Sequence, residues 1–246
     1  MNQIIKNKNA IDIIAFAPHP DDAEMGCGGM LAAMKKRGYR TGIVDLTRGE
    51  LSSNGNLKTR KKETEKASEI LMLDIRENLD MQDGSIECSM HNKLKIITVL
   101  RKYTPRLILF PYHKDRHPDH ENSSKLIRES VFLSGLVKFK TEMNAYRPDI
   151  VLNYMLHYEF SPSFIIDISE HFEKKAEAIK AYDSQFFSGD DEQVITHIST
   201  KAFKEILYTR AKYFGLKIRA EYGEPYFINS KIRINDPLKF FDYVVY

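Results

Sequence analysis

The sequence predicts an α/β protein: a Rossmann-like, mostly parallel sheet with helices on both faces. Three observations carry this. Short apolar runs bounded by turn residues alternate with longer stretches of helical periodicity through most of the first half of the chain. The runs are apolar throughout rather than alternating, as expected of strands covered on both faces. No Pro-, Gly- or Ser-rich linker, internal repeat or low-complexity tract divides the 246 residues, so one domain over 1–246 is the simplest organisation.

IDIIAFA (11–17) is an apolar run closed by Pro18 and reads as a central strand. GCGGMLAAMKKRG (26–38) reads as a helix, with small residues at its start and Gly38 as its stop. TGIVDLT (41–47) is a second strand. KTRKKETEKASEILML (58–73) is an amphipathic helix whose Ala67, Ile70 and Leu71 face inward, with Arg60-Lys61-Lys62 as part of a solvated face. A weaker strand lies within 75–81. NKLKIITVLRKY (92–103) is a helix ended by Thr104-Pro105, and RLILFP (106–111) is a strand followed by a helix over 119–135. Beyond residue 150 the pattern loosens: strands at 151–156 and 164–168, helices near 169–186 and 191–214, and a strand-like aromatic tail from Glu221. Segment 136–163 carries the weakest signal outside its strand.

Composition narrows the function classes. With 42% hydrophobic and 29% charged residues the chain is a folded protein, not a disordered one. A net charge of +3, dispersed along the chain, gives no nucleic-acid footprint. No run reaches the ~18–20 apolar residues of a membrane helix. Ile11–Ala17 follows Lys6 and Lys8 like a signal-peptide core, but it is short, lacks a small-residue cleavage site and contains Asp12. With Cys27 and Cys88 the only cysteines, a cytoplasmic protein with free thiols is expected.

Two motifs stand at strand ends: His19-Pro20-Asp21-Asp22 after the first strand, and His117-Pro118-Asp119-His120 after the fourth and a loop (112–116). In a doubly wound sheet of order 3-2-1-4-5 these strands are neighbours, and their carboxyl ends flank the switch-point crevice. Either motif alone reads as turn or helix-cap chemistry. Together they supply the imidazole and carboxylate ligands of a catalytic zinc that keeps one position for water. His19, Asp22 and His120 are assigned as ligands and Asp21 as general base. His117 is left as an acid or electrostatic partner, with Asp119 accepting its ring proton. GCGG lacks both phosphate-loop spacings, so its glycines are read as permitting close backbone approach. The two cysteines are too few and too far apart for a structural zinc.

AFAPHPDDAEMGCGGML (15–31) and RHPDHEN (116–122) resemble the two metal motifs of the PIG-L/LmbE-like deacetylases. DLTRGELSSNGN (45–56) with Arg60 resembles that family's loop-and-arginine segment, and AEYGEPYF (220–227) its ending. The resemblance runs collinearly over nearly the whole chain and is strongest to the bacillithiol-biosynthesis branch. It implies zinc-dependent removal of an N-acetyl group from an N-acetylglucosaminyl conjugate, with N-acetylglucosaminyl-malate as the branch substrate and acetate as product. Another divalent ion such as Fe2+ is admitted in place of Zn2+, and a homo-oligomer is admitted because relatives assemble. By matched position it makes His19, Asp22 and His120 the ligands, Asp21 the base, His117 the acid or electrostatic partner held by Asp119, and Arg60 a substrate contact. A distal tyrosine serves the oxyanion in some relatives; Tyr213 is the candidate here and Tyr222 the runner-up. In others a tyrosine stands where this chain has Asp115. Arg48 or Arg60 would take a malate carboxylate, and Ser52, Ser53 and Asn54 the sugar hydroxyls.

The expected reaction is amide hydrolysis, with Asp21 taking a proton from the attacking water and the oxyanion facing His117 or a tyrosine. The rivals are a deacetylase of a different N-acetylated amino sugar, a phosphoesterase, which would want a second metal and bridging carboxylates, and a non-catalytic metabolite binder on the same fold.

Overall fold

The computed structural model describes residues 9–186 and 194–241. The chain runs β1 (Ile13–Ala17), α1 (Asp22–Lys36), β2 (Thr41–Thr47), α2 (Leu57–Leu71), β3 (Ile75–Met81), α3 (Met90–Tyr103), β4 (Leu107–Pro111), α4 (Pro118–Ser134), β5 (Ile150–Tyr154) and β6 (Phe164–Asp167). A 3-10 turn (Ser169–His171) leads into α5 (Phe172–Lys180), followed by α6 (Lys201–Leu216), β7 (Gly223–Phe227) and α7 (Pro237–Phe241). The strands form one seven-stranded sheet in the order β3-β2-β1-β4-β5-β7-β6. The first five pair in parallel, and β7 runs antiparallel to both β5 and β6. The expected order of the parallel part is therefore found, and the antiparallel edge extends it.

β1 explains why its sequence is apolar throughout. Ile13, Ala15 and Ala17 pack into one core with α1, α2 and α5 residues, while Ile14 and Phe16 pack into a second core with α3 and α4 residues. β3, at the sheet edge, is half-exposed, which accounts for its weak pattern.

α1 begins at Asp22, four residues earlier than expected, and the GCGG run lies inside it. Cys27 (φ −144, ψ 15) breaks its helical geometry. Such a break strips backbone N–H groups of their usual partners. Glu224 of β7 supplies acceptors: Oε1 takes the Gly29 N–H at 3.0 Å and Oε2 the Met30 N–H at 2.8 Å. Buried Lys175 donates to the same carboxylate at 2.6 Å. A Cβ on Gly26 would stand 2.2 Å from the Tyr154 ring, so the glycine lets α1 approach the sheet closely.

Elsewhere α3 and α4 match expectation, with Ser89 and His117 as their N-caps. The helix expected near 169–186 is shorter, because Ala181–Phe186 turn away after α5. The one expected near 191–214 begins at Lys201; positions 191–193 of that expectation lie outside the described residues. Strand pairing in the aromatic tail is confined to Gly223–Phe227. No helix among the described residues is long and apolar enough to cross a membrane.

Candidate active site

β1 and β4 pair directly, so the two His-rich motifs leave adjacent strand ends. Asp21 caps α1 in the left-handed region (φ 116), a strained position for a residue with a Cβ. This twist turns the adjacent carboxylates of Asp21 and Asp22 in different directions. Pro118 occupies the first turn of α4, where its missing N–H costs nothing. His117 caps that helix, its Nδ1 accepting the Asp119 N–H at 3.2 Å. The capped Nδ1 bears no proton, which leaves the ring hydrogen on Nε2.

The donors converge. His19 Nδ1 lies 3.1 Å and His120 Nε2 3.4 Å from the same oxygen, Asp22 Oδ2. His19, Asp22 and His120 offer ligand atoms all within 4.8 Å of one another. The outward nitrogens are held by carboxylates: His19 Nε2 by Asp83 at 3.1 Å and Asp119 at 3.3 Å, and His120 Nδ1 by Asp115 at 3.0 Å. That is the second layer expected around metal-ligating imidazoles.

The electrostatics ask for a cation. Burial alone would lower both imidazole pKa values, but Asp119, Asp22 and Asp83 hold that of His19 well above its usual range. Asp22 and Asp115 likewise push His120 up to about 9. Burial works against the Asp115 carboxylate, yet His120 brings it down to about 2. Four carboxylates thus surround two imidazoles, and a divalent cation between neutral rings satisfies the same charge balance. The donor set of two nitrogens and one carboxylate oxygen suits zinc.

Asp21 lies beside this cluster. Burial raises its carboxyl to about 7, against the pull of Arg60. Arg60 is itself buried, donating from Nη1 to Asp21 Oδ2 at 2.9 Å and to the Pro20 carbonyl at 2.5 Å, and from Nη2 to Ser52 Oγ at 2.5 Å. The His117 ring stands edge-on to His19 and stacks on His120, with centroids 4.8 and 4.9 Å away. Burial and the two neighbouring imidazoles lower its pKa, so it is a neutral donor.

These groups line a cleft of about 300 Å3 together with Ser52, Ser53, Arg116, His157, Gln185 and His197. Several expected details differ. The Asp119 carboxylate does not receive the His117 ring proton; it accepts the Gly84 and Ile86 N–H groups and faces His19. Arg60 belongs to no solvated face, and its guanidinium is engaged by Asp21, Pro20 and Ser52. Asn54 is buried and exchanges hydrogen bonds with the backbone of Val194, away from the lining. Arg48 pairs with Asp80 at 3.2 Å on the surface. Tyr213 is exposed on α6 outside the cleft, with Lys217 over its ring. Tyr222 stacks on Phe172 at 3.8 Å. No tyrosine lines the cleft among the described residues.

Sequence reasoning missed Asp83, Asp115 and His157. Asp83 and His157 follow the carboxyl ends of β3 and β5, where parallel sheets place functional side chains, and that signal was available. Asp115 was noticed only as a departure from a tyrosine. His157 lies parallel to His120, with centroids 5.5 Å apart, and its buried Nδ1 has no partner. Its pKa is lowered by burial to about 4.

The profile of the PIG-L family, described as GlcNAc-PI de-N-acetylase, matches residues 14–131. The conserved protein TT1542 of Thermus thermophilus superposes with a TM-score of 0.84 at 36% identity, over 91% of this chain and 97% of that one. A diacetylchitobiose deacetylase of Thermococcus kodakarensis is 28% identical over 71% of this chain and 70% of its own length. A probable N-acetyl-alpha-D-glucosaminyl L-malate deacetylase 2 of Bacillus anthracis is 25% identical over 73% and 83% respectively.

Proposed function

This chain belongs to the PIG-L family, and on that premise we propose that it is a metal-dependent deacetylase removing the N-acetyl group from an N-acetylglucosaminyl conjugate. The observation that carries the reading is the convergence of His19, Asp22 and His120 on one point beside a buried, ionisable Asp21. A pure binding module has no need of a carboxylate held near pH 7 next to three metal-type donors.

His19, Asp22 and His120 would hold zinc or another divalent ion such as Fe2+. Bound there, the ion supplies a Lewis acid that polarises the acetyl carbonyl and acidifies water. Asp83 and Asp119 fix the His19 ring, and Asp115 fixes His120. Asp21 takes the proton of the attacking water on its carboxylate and returns it to the departing amine nitrogen. Arg60 keeps that carboxylate in place and biases it toward the ionised form. His117 donates from Nε2 to the developing oxyanion, the part a tyrosine was expected to share. Ser53, at the cleft wall, meets the sugar hydroxyls.

The test is acetate release from a panel of N-acetylglucosaminides, including the malate conjugate, by metal-loaded protein. Release that depends on metal and falls by about 10²-fold or more in Asp21→Asn supports the reading. Hydrolysis of phosphoesters in place of amides, or undiminished release by Asp21→Asn, overturns it.

A further inference from the structure

We propose that Asn54 is a positioning residue for one wall of the catalytic cleft: its side chain clasps Val194 and so holds Thr196, His197 and Ile198 where they meet the substrate. The proposal rests on the deacetylase reading and deepens it by naming what sets affinity for the sugar, apart from the groups that carry out the chemistry.

The walls of the cleft differ in origin. His19, Asp22, His117 and His120 stand at the ends of β1 and β4 and in the helices that follow. Thr196, His197 and Ile198 come from the segment before α6, where residues 194–200 belong to no strand or helix. Its backbone groups need partners from elsewhere. Asn54 supplies them: its Oδ1 accepts the Val194 N–H and its Nδ2 donates to the Val194 carbonyl, each at 2.8 Å. A side-chain amide carries the donor and acceptor of a peptide group, so the pairing reproduces one rung of a strand ladder across 140 residues of sequence. The Asn54 carbonyl accepts a third bond, from Gln185 Nε2 at 2.7 Å. One buried residue therefore holds both Gln185 and Val194. Gly55, at φ 73, lets the loop come this close, since a Cβ there would stand 2.7 Å from Ser184 Oγ. Ser184 is fixed in turn by Glu63 of α2, which accepts its N–H at 2.7 Å and its hydroxyl at 2.9 Å. The clasp is thus anchored to a helix.

Beyond Val194 the chain is bonded within itself. Ser199 Oγ accepts the Thr196 N–H at 2.7 Å, Thr196 Oγ1 accepts the Ser199 N–H at 3.2 Å, and Thr200 caps α6. Fixing Val194 therefore fixes the approach of the whole turn to the cleft. At its inner end His197 stands edge-on to His157, with centroids 5.4 Å apart, a contact that leaves the backbone direction open. A wall ordered beforehand spares the substrate the entropy of ordering it, and that gain appears in binding. The groups assigned to the chemistry ride on other elements. Ser52, which holds Arg60, is fixed separately by donating to the Gly49 carbonyl at 2.7 Å.

The test uses the N-acetylglucosaminide of the panel that the metal-loaded wild type turns over fastest. Asn54→Ala removes both side-chain bonds. It is expected to raise KM about 10-fold, with metal content unchanged and kcat within about two-fold of the wild type. Asn54→Asp, which keeps the acceptor but sets an oxygen against the Val194 carbonyl, reads the same quantities should Asn54→Ala not fold. The triple variant Thr196→Ala/His197→Ala/Ile198→Ala strips the wall and is expected to raise KM as well. Combined with Asn54→Ala it should raise KM by less than the product of the separate effects, because the clasp acts through the wall. Unchanged KM in Asn54→Ala or in the stripped variant, a fall in kcat as large as any rise in KM, or full multiplication of the two effects overturns the proposal. Amide hydrogen exchange gives a readout without turnover. Exchange over 194–199 is expected to quicken about 10-fold or more in Asn54→Ala while β1 and β4 stay protected. If the wild type releases acetate from no member of the panel, the deacetylase reading fails; quickened exchange would still support the clasp, and unchanged exchange would still refute it.

Discussion

Arg60 Nη1 and Asp21 Oδ2 meet at 2.9 Å, both side chains buried, although 39 residues separate them. The pair sets the ionisation of the proposed base. Burial raises the Asp21 pKa to about 7, and Arg60 is the main influence holding it down.

Arg60→Gln removes that restraint, so the Asp21 pKa rises further. A base works only when deprotonated, and activity is lost as pH falls through its pKa. The acid limb of the kcat/KM profile is therefore expected to move to higher pH, with the largest loss below pH 7 and partial recovery in alkaline buffer. A pH-independent loss would separate Arg60 from Asp21.

Asp21→Asn keeps the shape of the side chain and cannot accept the proton. Acetate release is expected to drop by roughly 10²–10⁴-fold while metal content stays at the wild-type level. Elemental analysis of the same preparation used for the assay makes both measurements.

Asp115→Asn leaves all three proposed ligands intact and weakens the grip on His120 Nδ1. Metal affinity is expected to fall by about 10–100-fold, read by chelator competition. His120→Ala should abolish stoichiometric binding, and removal of the ion from the wild type should abolish activity reversibly.

Glu224→Ala strips the Gly29 and Met30 N–H groups of their acceptor and leaves Lys175 buried without its partner. Destabilisation of about 3–5 kcal/mol is expected, measured as a lowered urea midpoint. Unchanged stability would mean that α1 closes its own break.

Much of this molecule was legible beforehand. The unbroken apolar runs of β1 and β2 announced strands covered on both faces, and the alternation with helices implied their parallel order. His19, Asp22 and His120 were readable because two rare motifs stood at strand ends that this order makes neighbours. The start of α1 was misjudged because glycines at 26, 28 and 29 resemble a helix beginning, whereas they sit in a helix broken at Cys27. Tyr213 was attractive on family likeness, but nothing local reveals which face of α6 meets the cleft.

By itself, then, the sequence determined the α/β architecture and the three metal-type donors, since both follow from local periodicity and from short motifs whose spacing survives folding. Only the tertiary structure decided which carboxylate steadies which imidazole, that Arg60 serves Asp21, and that Glu224 mends α1. Those relationships join side chains from separate elements, and their energies depend on burial and on angstrom-scale distances that no linear pattern encodes.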